Sequence, residues 1–245
     1  MSTTESQVEP MADFEDYLLT VDRYMRLGEL GLRGDKAPFL LRDGRLVDKE
    51  VFAEDEAHRP YRIDRGRFER MVAAGFFAGD RAVFLWEGRL VRKMTAGHAH
   101  FITVSLLYQA MLRLVGPGWT AIQEQPVAID EFSLPEPDLA VIRGSLRDYH
   151  KRRPDALDLG LLIEVADSSL LQDGRVKLRV YARARVPHYW IVNIADRRVE
   201  AYGSPINTAE GPGYATRRDY EPGQGVPVIL DGVEVGRIAV DEILP

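Results

Sequence analysis

Residues 159–166 read Leu-Gly-Leu-Leu-Ile-Glu-Val-Ala, and this octet constrains the fold more than any other stretch of the chain. Its length, its bulky aliphatics and the turn residues on either side predict a β-strand buried on both faces, as the central strands of an α/β sheet are. Glu164 is the exception. Taking an isolated ionised carboxylate into such surroundings costs several kcal/mol, so the strand needs a cation against it. A bound metal or a basic side chain would serve; the plainer reading is a buried ion pair at a strand end.

Two further ionisable residues are candidates to meet it. Asp138 opens the apolar run 138–142 directly after Pro137, where the chain leaves solvent; taken alone it reads as a turn or cap residue. If the two runs are neighbouring strands, the two acids lie close together and repel unless a cation neutralises them. Hard carboxylate oxygens select Mg²⁺ or Mn²⁺, which keep open positions for a phosphate. The third candidate is Lys177. Asp167-Ser168-Ser169 can cap a helix over residues 170–185. On it Leu170, Gly174, Lys177, Tyr181 and Ala184 make a stripe of helical period that should face the sheet. The alternative is an exposed pair between Lys177 and Asp173, one turn back.

Composition narrows the function classes. Cysteine is absent, which excludes disulfides, thiolate zinc sites and a cysteine nucleophile. The five histidines form no His-x-x-x-His pair. No apolar run reaches membrane-spanning length, and residues 1–12 lack the order of a signal peptide, so a cytoplasmic protein away from membranes is expected. A net charge of −6 argues against nonspecific coating of nucleic acid. A nuclease needs only a basic rim around an acidic site, however, and His150-Lys151-Arg152-Arg153, Arg175 to Arg185 or Arg217-Arg218 could supply it, with Arg143, Lys151, Arg152 and Arg153 expected to hold the flanking backbone phosphates; a solvated face is the alternative for each cluster. Ser168 and Ser169 do not sit in Gly-x-Ser-x-Gly, so a serine hydrolase is a poor fit.

Upstream, the pattern repeats. Thr20 can cap a helix to about residue 30, and Asp43-Gly44 turns a hairpin over residues 38–47. A second helix over 65–75 and a second hairpin over 83–91 follow. Placing Asp43-Gly44-Arg45-Leu46-Val47 over Glu87-Gly88-Arg89-Leu90-Val91 also aligns Tyr24 with Phe68, Leu27 with Met71, Gly31 with Gly75 and Lys49 with Lys93, the mark of an internal duplication. The expected organisation is a disordered tail (1–13), a helix-hairpin extension (14–60) acting as a decoration or a packing or dimer surface, and a main domain (61–245). Within the latter, a long helix over 95–115 carries Phe101, Tyr108, Met111 and Val115 on one stripe, with His98 and His100 in its first turn. Strands are expected at 119–124, 127–129 and 188–193, a mobile loop at 143–154, and a hairpin turning at Asp231-Gly232.

Taken in order, Glu-Pro-Asp138-Leu-Ala-Val, Leu-Leu-Ile-Glu164-Val-Ala-Asp-Ser-Ser, and Asp173-Gly-Arg-Val-Lys177-Leu-Arg-Val-Tyr181 on to Val186-Pro-His-Tyr189-Trp190 resemble the putative restriction endonuclease family of the PD-(D/E)XK nuclease superfamily. The likeness extends upstream through Glu87-Gly88, His98 and Gln123-Glu124, over about residues 61 to 203. It implies an α/β (α+β) fold, a restriction-endonuclease-like central mixed sheet flanked by helices, with Asp138, Glu164 and the backbone carbonyl of Val165 as ligands of Mg²⁺ or Mn²⁺. In this superfamily the lysine usually lies two residues after the second acid. Here that position is Ala166, and the family lysine matches Lys177 on the following helix. His98, Glu124 and Asp173 are implied supporting groups, DNA (duplex) the substrate and a homodimer the assembly. The expected activity is endonucleolytic hydrolysis of a phosphodiester; the alternative is a weak or inactive nuclease-fold module for nucleic-acid or protein binding. One departure favours that alternative: family members carry a Glu three residues before the acid-Gly turn, and here that residue is Phe84.

Overall fold

In the computed structural model the octet containing Glu164 is strand β8 (Leu159–Ala166), buried along its whole length. The structure describes residues 14–33, 38–49, 60–80, 83–93, 97–166 and 171–245, the side chains of 171–175 excepted. The expected tail, most of the linker between the two repeats, Ser168, Ser169 and the side chain of Asp173 therefore lie outside the described residues. Beside β8 stand β6 (Trp119–Gln123), β7 (Leu139–Arg143), β9 (His188–Asn193), β10 (Arg198–Thr208) and β11 (Gly211–Tyr220). Together they form a six-stranded sheet in the order β11-β10-β9-β8-β7-β6. β8 pairs antiparallel with β7 and parallel with β9, so the sheet is mixed. The parallel pair needs a long crossover, and helix α4 (Leu171–Arg183) supplies it.

Because side chains alternate along a strand, β8 feeds two cores. Leu161, Ile163 and Val165 face the first, with Leu107 and Met111 of α3 (His98–Leu114), Val228 of β12 (Gly225–Leu230), Ile238 of β13 (Val233–Ala239) and Ile243 of α5 (Val240–Ile243). Leu162 and Ala166 face the second, covered by Val180 and Tyr181 of α4. The same core takes Phe84, Trp86 and Val91 from a three-stranded sheet of β1 (Phe14–Asp16), β5 (Arg89–Lys93) and β4 (Val83–Trp86). The β12/β13 hairpin turns at Asp231-Gly232 as expected, both residues with positive φ.

The two repeats fold alike. Thr20 accepts the Arg23 N–H at 3.3 Å to cap α1 (Val21–Glu29), and Asp64 accepts that of Arg67 at 2.7 Å to cap α2 (Arg65–Ala73). Gly31 and Gly75 end them with the same left-handed φ of 66°. The hairpin of β2 (Phe39–Arg42) and β3 (Arg45–Asp48) turns at Asp43-Gly44, and that of β4 and β5 at Glu87-Gly88, all four residues with positive φ. Each copy binds the other's hairpin: the Tyr17 N–H donates to Leu90 C=O and the Tyr61 N–H to Leu46 C=O, both at 2.9 Å. Where the sequence suggests a decoration, the first copy supplies about half of a shared core, Leu27, Phe39 and Leu46 packing with Met71, Phe76 and Leu90.

Three local expectations are corrected. The inward stripe of α3 is His100, Thr103, Val104, Leu107, Ala110 and Met111, while Phe101 is exposed; a helix apolar nearly all round gives the sequence no way to choose a face. Residues 127–129 make a single bridge, Ala128 to Asp155, rather than a strand. The loop expected to be mobile contains a short 3-10 turn, Leu146–Tyr149, and a second, Ala156–Asp158, follows it before β8. Asp148 accepts the Ser145 N–H at 2.8 Å, and Arg152 forks onto Asp158 at 2.5 and 2.8 Å.

Candidate functional site

β7 and β8 run in antiparallel register with Leu139 opposite Ile163. One step further toward that end, just beyond the last ladder pair, Asp138 and Glu164 come close enough to act on each other's charge, with Glu164 on the face that α4 covers. Both are buried, Asp138 1% and Glu164 5% exposed. Lys177 reaches in from α4 with Nζ 2.9 Å from Glu164 Oε2, and Tyr181, one turn on, donates its hydroxyl to Glu164 Oε1 at 2.8 Å. Of the stripe read from the sequence, Lys177, Tyr181 and Ala184 are described, and they face the sheet.

Asp138 is held from three directions. Its Oδ2 accepts the backbone N–H of Val165 at 2.8 Å and lies 3.1 Å from His100 Nε2; its Oδ1 takes the Lys93 ammonium at 2.5 Å. Sequence reasoning missed Lys93 and named His98 as the supporting histidine, where the structure sets His100 against Asp138. Lys93 was visible only as the partner of Lys49 in the repeat, and no pattern sets the end of β5 against β7. His98 and His100 lie about 200° apart around a helix, so one of the two faces the sheet; it is His100, whereas His98 is exposed with its ring 6.3 Å from that of Phe101.

The two acids differ electrostatically. Burial works against ionisation of Asp138, but the His100 hydrogen bond and the Lys93 charge outweigh it and hold its pKa well below the carboxylate range. For Glu164 burial dominates, reinforced by Asp138 and opposed by Lys177, so its pKa is raised. Burial and the Glu164 charge push the Tyr181 phenol upward, which keeps it a hydrogen-bond donor. Burial lowers the pKa of Lys93, but Asp138 and Glu164 more than compensate and keep it a cation. The two carboxylates and two ammoniums thus balance without help.

An aromatic wall closes one side. Phe14, opposite Lys93 in the β1–β5 ladder, lays its ring 4.7 Å from the Lys177 ammonium and edge-on to Phe84 at 4.5 Å. Phe84, where the resemblance implies an acid, is buried in the apolar second core. Of the remaining expected groups, Glu124 is exposed at the rim with Oε1 3.9 Å from Lys93. Val165 contributes its N–H to Asp138. Arg143 ends β7 at the far end from Asp138, forked onto Asp231 at 2.6 and 2.9 Å and 4.5 Å from the Trp119 ring. Arg152 is occupied by Asp158, Arg153 lies 3.9 Å from Glu69, and Lys151 is exposed.

Among the described residues no group of three or more acids and histidines has the arrangement of a metal site. The donor chemistry is nonetheless that of a hard cation: two neighbouring carboxylates, with two ammoniums standing where positive charge is demanded. The side chain of Lys93 is 21% exposed and that of Lys177 5%, so Lys93 is the one that can withdraw. The residues fit a divalent ion on that condition.

A mixed sheet with two acids brought together by adjacent strands and a lysine from the crossover helix defines a restriction-endonuclease-like protein. The chain belongs to the Uma2 family, described as putative restriction endonuclease, whose profile matches residues 66–236. Its fold is also similar to the crystal structure of a putative nuclease from Anabaena variabilis, with a TM-score of 0.51 and 16% identity over 66% of this chain and 89% of that one. No curated protein matches the chain. The family points to a nuclease acting on nucleic acid, and no helix among the described residues is long and apolar enough to cross a membrane.

Proposed function

We propose that this nuclease hydrolyses phosphodiester bonds of DNA with the help of Mg²⁺ or Mn²⁺ held by Asp138, Glu164 and the carbonyl of Val165. The observation that carries the reading is the pairing of Asp138 and Glu164 at one end of the sheet with Lys177 between α4 and β8. A bound divalent ion would supply Lewis-acid polarisation of the phosphate and activation of a water. Lys177 orients that water or stabilises charge on the phosphate, acting as a point charge in a dry setting. Tyr181 holds Glu164, and His100 with the Val165 N–H holds Asp138, so neither carboxylate has to be oriented during the reaction. Backbone phosphates away from the scissile bond would be met by exposed cations such as Lys151, contacts that position the duplex without reading its sequence.

Supercoiled plasmid incubated with the protein and Mg²⁺ or Mn²⁺ tests the reading, with Glu164→Gln as the folded control. Nicking by the wild type, lost in Glu164→Gln and in chelator, supports it; no nicking, or equal nicking by both, refutes it. The internal charge balance and Phe84 favour a second reading, a binding module without catalysis. That reading gains if the wild type retains DNA but never cuts it.

A further inference from the structure

Lys93 differs from every other member of the cluster. Asp138, Glu164, His100 and Lys177 are all within 5% of full burial, whereas the Lys93 side chain lies at the mouth, 3.9 Å from the exposed Glu124. Its Nζ occupies Asp138 Oδ1, the carboxylate oxygen that no other group among the described residues holds, since the Val165 N–H and His100 both use Oδ2. Lys177, by contrast, is hemmed in by Glu164 and by the ring of Phe14.

We propose that Lys93 is a tethered counter-cation: it neutralises Asp138 in the metal-free chain, yields Oδ1 to the incoming divalent ion, and then presents its ammonium to the scissile phosphate. This rests on the metal reading above and assigns a residue to it. The physical reason is charge. Two carboxylates and Lys177 leave one negative charge to neutralise in a nearly dry site, and an isolated buried carboxylate is costly. A lysine on a four-carbon stem at the mouth meets that need and can swing away, as a rigid guanidinium fork cannot. As the most exposed group of the cluster, Lys93 stands on the side from which a phosphate can approach.

The test is calorimetric titration of Mn²⁺ into metal-stripped wild type and Lys93→Met, with Lys93→Gln as a second variant, each shown folded by thermal melting. A competing ammonium lowers apparent metal affinity by the fraction of the site it leaves free, so both variants should bind Mn²⁺ about tenfold or more tightly than wild type. The plasmid assay should show the opposite sense for DNA, a raised half-saturating concentration with a smaller change in maximal rate. Unchanged or weaker Mn²⁺ binding in both variants overturns the proposal, even if the wild type binds metal and cuts DNA. If none of the three proteins binds Mn²⁺, the metal reading itself falls and this inference falls with it.

Discussion

Removing Lys177 should be far more damaging than removing Lys177 and Glu164 together. The pair is 2.9 Å apart with side chains only 5% and 7% exposed, so water cannot replace a lost partner. In Lys177→Met the Glu164 carboxylate is left buried with the Tyr181 hydroxyl as its hydrogen-bond donor. Breaking a buried pair in this way costs about 3–5 kcal/mol. A second argument sets a ceiling. The carboxyl can always escape by taking up a proton, which at pH 7 costs at most about 3.4 kcal/mol from an ordinary value of 4.5, at about 1.36 kcal/mol per pH unit, and less because burial already raises its pKa. The expected loss is therefore about 3 kcal/mol, or a melting temperature lower by about 6–12 °C for a chain of this size. The double variant Glu164→Leu/Lys177→Met replaces the pair by aliphatics of similar bulk and should lie within about 2 kcal/mol of wild type, on either side. Urea unfolding in chelator closes the cycle, so that no metal contributes. A single variant that loses under about 1 kcal/mol, or a double variant as unstable as the single, refutes the buried pair.

Three other outcomes follow from the geometry. Gly88→Ala should destabilise much more than Gly75→Ala: both have positive φ, but an added Cβ at Gly88 meets the Arg62 backbone Cα at 2.9 Å, while at Gly75 nothing lies within 4 Å; similar melting temperatures would contradict the tight approach. Asp16 is paired with Arg45 of one repeat and Arg89 of the other, and although burial opposes ionisation, those hydrogen bonds and charges hold its pKa below the usual 3.8. Its folded value is depressed, so its stabilisation is present above pH 3.8 and is lost as pH falls through the folded value; Asp16→Asn should be the less stable protein at pH 7, with the gap closing at low pH, and a gap that persists in acid counts against the pairing. Phe14→Ala should expose the Lys177 ammonium, read as faster acylation of that lysine by an amine-reactive ester in peptide mass spectrometry; unchanged labelling would mean that the ring is not a cover.

Much of this was legible in the sequence for identifiable reasons. A strand buried on both faces cannot hide its composition, so β8 and its single acid stood out. Lys177 and Tyr181 share a helix face by arithmetic alone, and the hairpin glycines announce positive φ. What failed depended on packing between distant segments. The register that brings Asp138 close to Glu164 follows from strand adjacency, which the sequence could suggest but not fix. Lys93 required the end of β5 to meet the end of β7, and Phe14 required a strand of three residues, too short to have a period. Cations in sequence say nothing of their partners either: in the fold Arg143 and Arg152 are paired with Asp231 and Asp158.

The duplication isolates what context adds to a side chain. Lys49 and Lys93 occupy equivalent places, just after one hairpin and at the end of the other, and the two copies are built with the same caps, turns and exchanged hydrogen bonds. Yet Lys49 is exposed, its N–H merely closing the hairpin onto Pro38 C=O at 2.8 Å, while Lys93 neutralises a buried carboxylate. The difference lies in what each hairpin packs against. The β4/β5 hairpin turns Phe84, Trp86 and Val91 into the second core and so carries its last residue to the sheet end where Asp138 emerges. β2 and β3 place Phe39 and Leu46 in the core shared by the two repeats instead. Local sequence made two interchangeable lysines; the packing of one hairpin against the sheet made only one of them part of a site.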